Sequence, residues 1–186
     1  MKIAHCWMAS AALAAALTVV APSASAQGIL SSNTRRMAVT LNLGGSIGVA
    51  GPAGAAFRLN PEFHYSFGEG MRGPAIGAGI DMLLPGFGIG ASGRFQWNFQ
   101  PIESVAFLVT PYGGITVGGL FASSPLGSLN LFYFGVHFGG EVRLILADRG
   151  FLTLRPLGFT VPILAGEGGG GAGFAYDVAL GGGVTF

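Results

Sequence analysis

The sequence predicts an all-β protein, an eight-stranded antiparallel up-and-down transmembrane β-barrel preceded by a cleavable signal peptide. Apolar residues make up 51% of the chain and charged residues only 9%. Beyond the N-terminal segment, however, no run of about 18 apolar residues could form a membrane helix. Apolar and polar residues instead alternate along successive segments, with the period of a β-strand. A closed barrel whose apolar face meets lipid accounts for both observations.

Residues 1–26 are predicted to form a secretory signal peptide. Lys2 supplies a short basic region, and residues 8–21 form an apolar run that is too short to span a bilayer comfortably. Ala24 and Ala26 then mark a small-residue cleavage site. This order of basic, apolar and small residues is typical of a segment that is removed on export.

Composition argues against several kinds of partner. The only cysteine, Cys6, lies inside the predicted signal, so the exported chain has neither a disulfide nor a thiolate metal ligand. The chain has nine Lys and Arg residues and eight Asp and Glu residues. Because Lys2 also belongs to the signal, the exported chain is balanced in charge. No basic surface for nucleic acid is expected, and no metal or other cofactor.

Residues 27–186 are predicted to form a single barrel domain. In residues 57–67, aromatic and aliphatic side chains occupy one face of a strand and polar side chains the other. The same alternation predicts strands at approximately 36–50, 55–67, 74–84, 87–99, 104–119, 130–146, 151–164 and 172–186. The seventh of these is less regular, which predicts a β-bulge near Arg155 and Pro156. Short segments with Gly, Pro and polar residues separate the strands.

The last strand carries a further signal. It ends in GGGVTF, and Gly181, Val184 and Phe186 occupy the positions where outer-membrane barrels carry a glycine, a residue that is usually aromatic, and a terminal aromatic residue. The exported chain resembles the small eight-stranded outer-membrane proteins of the OmpX and OmpA transmembrane-domain type. This resemblance implies that the barrel-assembly machinery recognises these three residues and that periplasmic chaperones escort the chain. It also implies a location in the cell outer membrane, as a monomer surrounded by outer-membrane lipid.

The even strand number places both chain ends on one side, which is expected to be periplasmic. Outward aromatic side chains cluster near the two ends of the predicted strands, as the interfacial girdles of a membrane barrel do. The predicted girdle residues are Phe57, Phe67, Phe87, Trp97, Phe99, Phe132, Phe134, Phe174 and Tyr176. The loops on the opposite side are predicted at 51–54, 85–86, 120–128 and 165–171. All are short, and the third is the best candidate for contact with a partner.

Polar residues on the inward positions predict a plug. Eight strands enclose an interior that side chains can fill, and buried charges require partners. The predicted lumen network comprises Arg58, Glu62, His64, Asp81, Arg94, Gln96, His137, Glu141, Arg143 and Asp177. We expect Arg94 and Glu141 to meet at the level of His64, in the periplasmic half. A proton or ion gate is the alternative to a purely structural plug.

The outer half of the lumen differs because its inward positions are mostly small. Examples are Gly88, Gly90, Gly114 and Gly135. One hypothesis is a shallow vestibule that opens to the outside. The alternative is that the small residues let the strands coil tightly while neighbouring side chains fill the space.

Two motifs suggest other functions. His64 and Ser66 resemble the H-x-S motif of outer-membrane lipid A deacylases, but alternation directs both into the lumen, near the periplasmic end. Gly88, Gly90 and Gly93 have the G-x-G-x-x-G spacing of a dinucleotide-binding turn. That motif needs a helix after its third glycine, whereas an alternating strand follows here, so no nucleotide is expected.

The sequence therefore favours an integral outer-membrane barrel of structural or interaction type, with a polar-plugged narrow lumen, short loops and no catalytic activity. The alternative is a barrel that binds or admits a small molecule through an extracellular-side vestibule. A lipid A-modifying enzyme comes third.

Overall fold

The computed structural model describes residues 34–51, 54–84, 87–102, 105–124, 127–146, 149–166 and 169–186. The predicted signal peptide and its cleavage residues, Ala24 and Ala26, lie outside these ranges. The strands are β1 (Met37–Ala50), β2 (Ala55–Ser66), β3 (Gly73–Leu84), β4 (Phe87–Asn98), β5 (Phe107–Ser124), β6 (Gly127–Leu146), β7 (Gly150–Gly166), β8 (Gly169–Ala172) and β9 (Phe174–Thr185).

The strands form one closed antiparallel sheet. From β1 to β8, each strand pairs with the next strand in sequence, and β1 pairs with β9 to close the barrel. Both β8 and β9 pair with β7. Together they form the eighth strand of the barrel, which is interrupted at Gly173, whose N–H donates to Pro162 O at 2.9 Å. The predicted eight-stranded up-and-down barrel is therefore confirmed. In the part of the chain that the structure describes, no helix is long and apolar enough to cross a membrane.

Strand alternation sorts the side chains into an apolar outside and a polar inside. Along β1, Val39 and Leu41 are exposed, whereas Thr40 and Asn42 between them are buried. Across the described residues, 33 large apolar side chains are exposed and 21 polar or charged side chains are buried. This is the reverse of a water-soluble domain, in which apolar side chains form the core. The fold therefore presents an apolar belt to its surroundings.

The two ends of the barrel differ in their connections. The terminal end carries both chain ends of the barrel and the connections at 67–72, 99–106 and 147–149. The hairpin end carries the connections at 51–54, 85–86, 125–126 and 167–168. The two later predicted loops at the hairpin end are wrong in extent, because β5 and β6 continue to the pair Ser124 and Gly127. Likewise β7 and β8 continue to Gly166 and Gly169. Backbone pairing persists there despite the Gly- and Ser-rich sequence, which had favoured loops.

Strand β7 contains the predicted bulge. Its register shifts between Arg155 and Gly158 on the β9 side, and on the β6 side the shift falls between Gly140 and Val142. Pro156 has no N–H to contribute to the ladder, and its carbonyl accepts a hydrogen bond from the Tyr176 hydroxyl. The bulge changes which residues face inward: odd-numbered positions do so before it and even-numbered positions after it.

Candidate functional site in the lumen

A central ion cluster fills the middle of the lumen and consists of Glu62, Arg94, Glu141, Arg143 and Arg155. Glu141 accepts from Arg143 Nε at 2.7 Å through one carboxylate oxygen. Its other oxygen accepts from Arg94 Nη1 at 3.2 Å and Arg155 Nη2 at 3.1 Å. All of these side chains are buried. The Glu141 carboxylate is therefore surrounded by three guanidinium groups.

Glu62 is the second carboxylate of the central ion cluster. Its Oε2 lies 3.3 Å from Arg94 Nη2 and 3.7 Å from Arg155 Nη2. Asn42 Nδ2 donates to the same oxygen at 3.1 Å, and His64 Nε2 lies 3.7 Å away. Three arginines and two glutamates give the cluster a formal charge of +1. Charges buried this deeply are tolerated because each has an oppositely charged partner.

Aromatic and amide side chains complete this layer. The Tyr112 ring lies 4.7 Å from the Arg155 guanidinium carbon and 5.1 Å from that of Arg94. These are cation–π distances, so one ring holds two guanidinium groups in place. Gln96 Oε1 accepts from Arg143 Nη2 at 3.2 Å.

An upper ion cluster, formed by Arg58, Asp81 and Asp177, lies nearer the hairpin end. Arg58 donates to both carboxylate oxygens of Asp81, at 2.8 and 2.9 Å. Arg58 Nη1 also lies 3.3 Å from Asp177 Oδ2. Thr116 and Thr160 donate to Asp81 and Asp177, respectively. Arg58 and Asp81, both predicted members of the lumen network, thus form a bidentate ion pair.

The space between the two clusters is small. A cavity of about 10 Å³ is lined by members of both clusters together with Asn60, Ser92, Tyr112 and His137. A volume of this size has room for about one water molecule. His137 also lies 3.4 Å from Thr116 Oγ1 through its Nδ1. The clusters therefore form a nearly continuous polar filling.

Neighbouring side chains cover the small residues of the outer lumen. A Cβ added at Gly88 would lie 2.4 Å from Leu120 Cδ2, and one at Gly135 would lie 2.6 Å from the Tyr133 hydroxyl. A Cβ at Gly114 would lie 2.4 Å from His137 Nε2. These glycines therefore leave space that larger neighbouring side chains occupy.

Below the central ion cluster, an apolar cluster lies at the terminal end of the lumen, where the polar side chains of Ser66, Asn98 and Thr185 are also buried. The apolar seal consists of Ala38, Met71, Ala106, Leu108, Ile145 and Phe151, all buried in one cluster. Leu108 is fully buried and Phe151 is 2% exposed. The Phe151 ring centroid lies 5.6 Å from the guanidinium carbon of Arg143, so the seal adjoins the ion cluster directly. Sequence reasoning predicted a polar plug and missed this second layer.

No family model matches the sequence, and a search of curated proteins gives no match either. Solved structures do match. The N-terminal β-barrel domain of Pseudomonas aeruginosa OprF superimposes with a TM-score of 0.56 at 12% identity, over 80% of this chain and 97% of that one. Neisserial surface protein A (NspA) gives a TM-score of 0.59 at 7% identity, over 81% of this chain and 96% of that one.

The chain has the fold of a small outer-membrane β-barrel. At such low identities the likeness establishes the fold alone, so the role of each residue rests on its position in this barrel.

The predicted girdle residues all lie on strands or connections of the barrel. Phe57, Phe67, Phe87, Trp97, Phe99 and Phe132 are exposed, whereas Phe134, Phe174 and Tyr176 are half-buried. Phe174 and Tyr176 both lie against Phe159, with ring centroids 5.6 and 5.7 Å apart. Trp97 stacks on Phe99 at 5.9 Å. Their role as interfacial anchors stays a prediction.

The three residues of the predicted assembly signal lie on or directly after β9. Val184 and Phe186 are exposed on the outer face, and Phe186 N donates to Met37 O at 3.0 Å. Gly181 also has a local reason to be glycine. A Cβ there would lie 2.4 Å from Asn42 Oδ1 and 2.6 Å from Thr153 Oγ1, which are joined by a 2.9 Å hydrogen bond.

The alternative motifs occupy positions unsuited to their chemistry. His64 and Ser66 are 3% and 4% exposed inside the barrel, and Ser66 Oγ donates to Arg72 O at 3.1 Å. Gly88, Gly90 and Gly93 lie within β4, not in a turn before a helix. Among the described residues, no group of three or more His, Cys, Asp or Glu side chains could hold a metal ion.

Sequence reasoning omitted one member of the central ion cluster, Arg155. The irregular segment around Pro156 left its facing unassigned, since a bulge resets the inside–outside alternation. The number of inward charges of each sign is the signal from which the inward position of Arg155 could have been inferred. Without Arg155, the buried carboxylates Glu62, Asp81, Glu141 and Asp177 outnumber the inward arginines by one.

Proposed function

We propose that this protein is an integral outer-membrane barrel of structural or interaction type, with its terminal end in the periplasm and no catalytic activity. The observation that carries the proposal is the inverted distribution of side chains. An outer surface of exposed Leu, Ile, Val and Phe side chains around an ion-paired interior is stable in lipid and unfavourable in water. The likeness in fold to two solved barrels supports it.

The filled lumen supports a structural role over transport. Two ion clusters and an apolar seal follow one another along the barrel, and the cavity between the clusters has room for about one water molecule. A diffusion pore would need a continuous wet path. We expect planar bilayers that contain the refolded protein to show no stable conductance.

The second candidate is a barrel that binds or admits a small molecule at its hairpin end. The side chains of Leu120 and Tyr133 over Gly88 and Gly135 weigh against an open vestibule. The third candidate, a lipid A-modifying enzyme, needs His64 and Ser66 at the lipid surface, and both are buried in the lumen. Analysis of lipid A by mass spectrometry from cells with and without the protein tests that candidate.

The partners that we propose are outer-membrane lipid around the mature monomer and, during biogenesis, periplasmic chaperones and the barrel-assembly machinery. The predicted signal peptide and the residues Gly181, Val184 and Phe186 of the predicted assembly signal support this route.

Membrane fractionation combined with gel migration tests the proposal. A closed membrane barrel resists unfolding in cold detergent, so an unheated sample is expected to migrate differently from a boiled one. We expect heat-modifiable migration and recovery in the outer-membrane fraction. Release by alkaline carbonate together with heat-independent migration would contradict the proposal.

A further inference from the structure

We infer that the apolar seal is a separate barrier at the terminal end of the lumen, and that the 67–72 turn which carries Met71 is its lid. In this arrangement, the lid decides whether water and solutes reach the central ion cluster from that side. The inference rests on the proposed function and deepens it, because it explains how the filled lumen is closed at its terminal end.

The backbone conformation of the turn places the Met71 side chain inside the lumen. Gly70 and Gly73 have positive φ angles of 59° and 84°, in the left-handed region that favours glycine. A Cβ at Gly68 would lie 2.0 Å from Arg72 O. With glycine at these three positions the chain can fold back beneath the barrel, and Met71 is 5% exposed as a result.

Hydrogen bonds hold the turn closed. Asn98 Nδ2 donates to Met71 O at 2.6 Å, and Ser66 Oγ donates to Arg72 O at 3.1 Å. Both donors come from strands that flank the lumen, β4 and β2. Asn98 Oδ1 also accepts from Thr110 Oγ1 at 3.0 Å. The lid is therefore tied to the residue that lies directly above the seal.

The opposite wall of the seal is built around Phe151. A Cβ at Gly183 would lie 2.4 Å from Phe151 Cζ, so the ring occupies the space that a side chain on β9 would take. Leu108 and Ile145 complete the layer from β5 and β6. Met71 closes the layer from the turn between β2 and β3. Among the described residues of the seal, it is the only one that lies in that turn.

The seal and the ion cluster exclude solutes by different means. Ion pairs rearrange around a charged solute, whereas the side chains of Met71, Leu108 and Phe151 offer no polar partner to replace the water that a solute must shed. Loosening the ion cluster therefore leaves the terminal end closed, while removing the Met71 side chain opens a path to Thr110.

Cysteine accessibility tests the inference, since the only native cysteine lies in the predicted signal. A Thr110→Cys probe, fully buried above the seal, is prepared in three backgrounds: native Met71, Met71→Ser and Met71→Leu. Each refolded, heat-modifiable barrel is treated with a charged methanethiosulfonate reagent. A Glu69→Cys probe on the exposed outside of the turn serves as the reactive reference.

We expect the Thr110 probe to be protected with native Met71 and with Met71→Leu. Met71→Ser should raise its modification rate by at least about tenfold, because loss of a buried apolar side chain favours local opening. The Glu69 probe should react equally in all three backgrounds. An unchanged rate at Thr110 in Met71→Ser would overturn the inference, as would rapid modification with native Met71. Failure of every variant to show heat-modifiable migration would instead count against the barrel itself.

Discussion

Arg155 Nη2 lies 3.1 Å from Glu141 Oε2, and this contact depends on the bulge in β7. The bulge lets Arg155 face inward on the terminal side while Thr160 faces inward on the hairpin side. A regular strand with the same sequence would turn one of the two outward. The break in periodicity is therefore what adds a third guanidinium to the Glu141 carboxylate.

Replacing that carboxylate should destabilise the barrel strongly. Glu141→Gln keeps the size of the side chain but leaves Arg94 and Arg155 with Glu62 as their remaining carboxylate. It also removes the ion pair that Arg143 makes with Glu141. Removing one partner of buried ion pairs costs about 3–5 kcal/mol. Urea unfolding followed by tryptophan fluorescence measures the loss. Glu69→Gln, on the exposed turn, is the control and should stay within about 0.5 kcal/mol of the native free energy of unfolding; equal effects would contradict the account.

Two adjacent glycines of β9 should respond differently to the same substitution. A Cβ at Gly183 would lie 2.4 Å from both Phe151 Cζ and Val39 O, whereas one at Gly182 would come no nearer than 3.4 Å to any atom. Overpacking of this kind costs about 1–3 kcal/mol. Gly183→Ala should therefore lower the free energy of unfolding, and Gly182→Ala should change it little. Equal stabilities of the two variants would show that Phe151 is not packed against β9.

The outer face should respond to charge as a function of depth. Leu180 is 62% exposed near the middle of β9, and Ile102 is 50% exposed in a connection at the terminal end. An arginine at the bilayer midplane costs about 2–4 kcal/mol, and one near the interface about 0–1 kcal/mol. Unfolding measurements in lipid vesicles should give a markedly lower free energy of unfolding for Leu180→Arg than for Ile102→Arg. If both substitutions cost the same, the belt around Leu180 does not meet hydrocarbon.

What could be predicted from the sequence is what depends on local periodicity. Alternation along each strand directs Glu62, Arg94 and Glu141 inward whatever their partners are, and register then brings them together. The contribution of Met71 depends instead on the path of a turn, and that of Phe151 depends on the absence of a side chain at Gly183. Neither feature can be inferred from the alternation of residues along a strand. The apolar seal is therefore recognised only in the three-dimensional packing.

The lengths of the strands likewise could not be predicted from local sequence alone. Residues 120–128 have the composition of a loop, yet β5 and β6 remain paired as far as Ser124 and Gly127. Turn-forming residues raise the chance of a turn at each position, but they do not say where a long hairpin reverses. The partner strand supplies that information.

Trp97 offers the most direct test that the apolar face of this barrel meets lipid. The chain has two tryptophans, and the other, Trp7, lies in the predicted signal peptide, so residues 27–186 carry a single probe. Trp97 is 44% exposed on the outer face near the terminal end. In vesicles of brominated phospholipid, we predict strong quenching of its fluorescence by bromine placed near the headgroup and weak quenching by aqueous acrylamide. Strong acrylamide quenching without quenching by any brominated lipid would contradict the account.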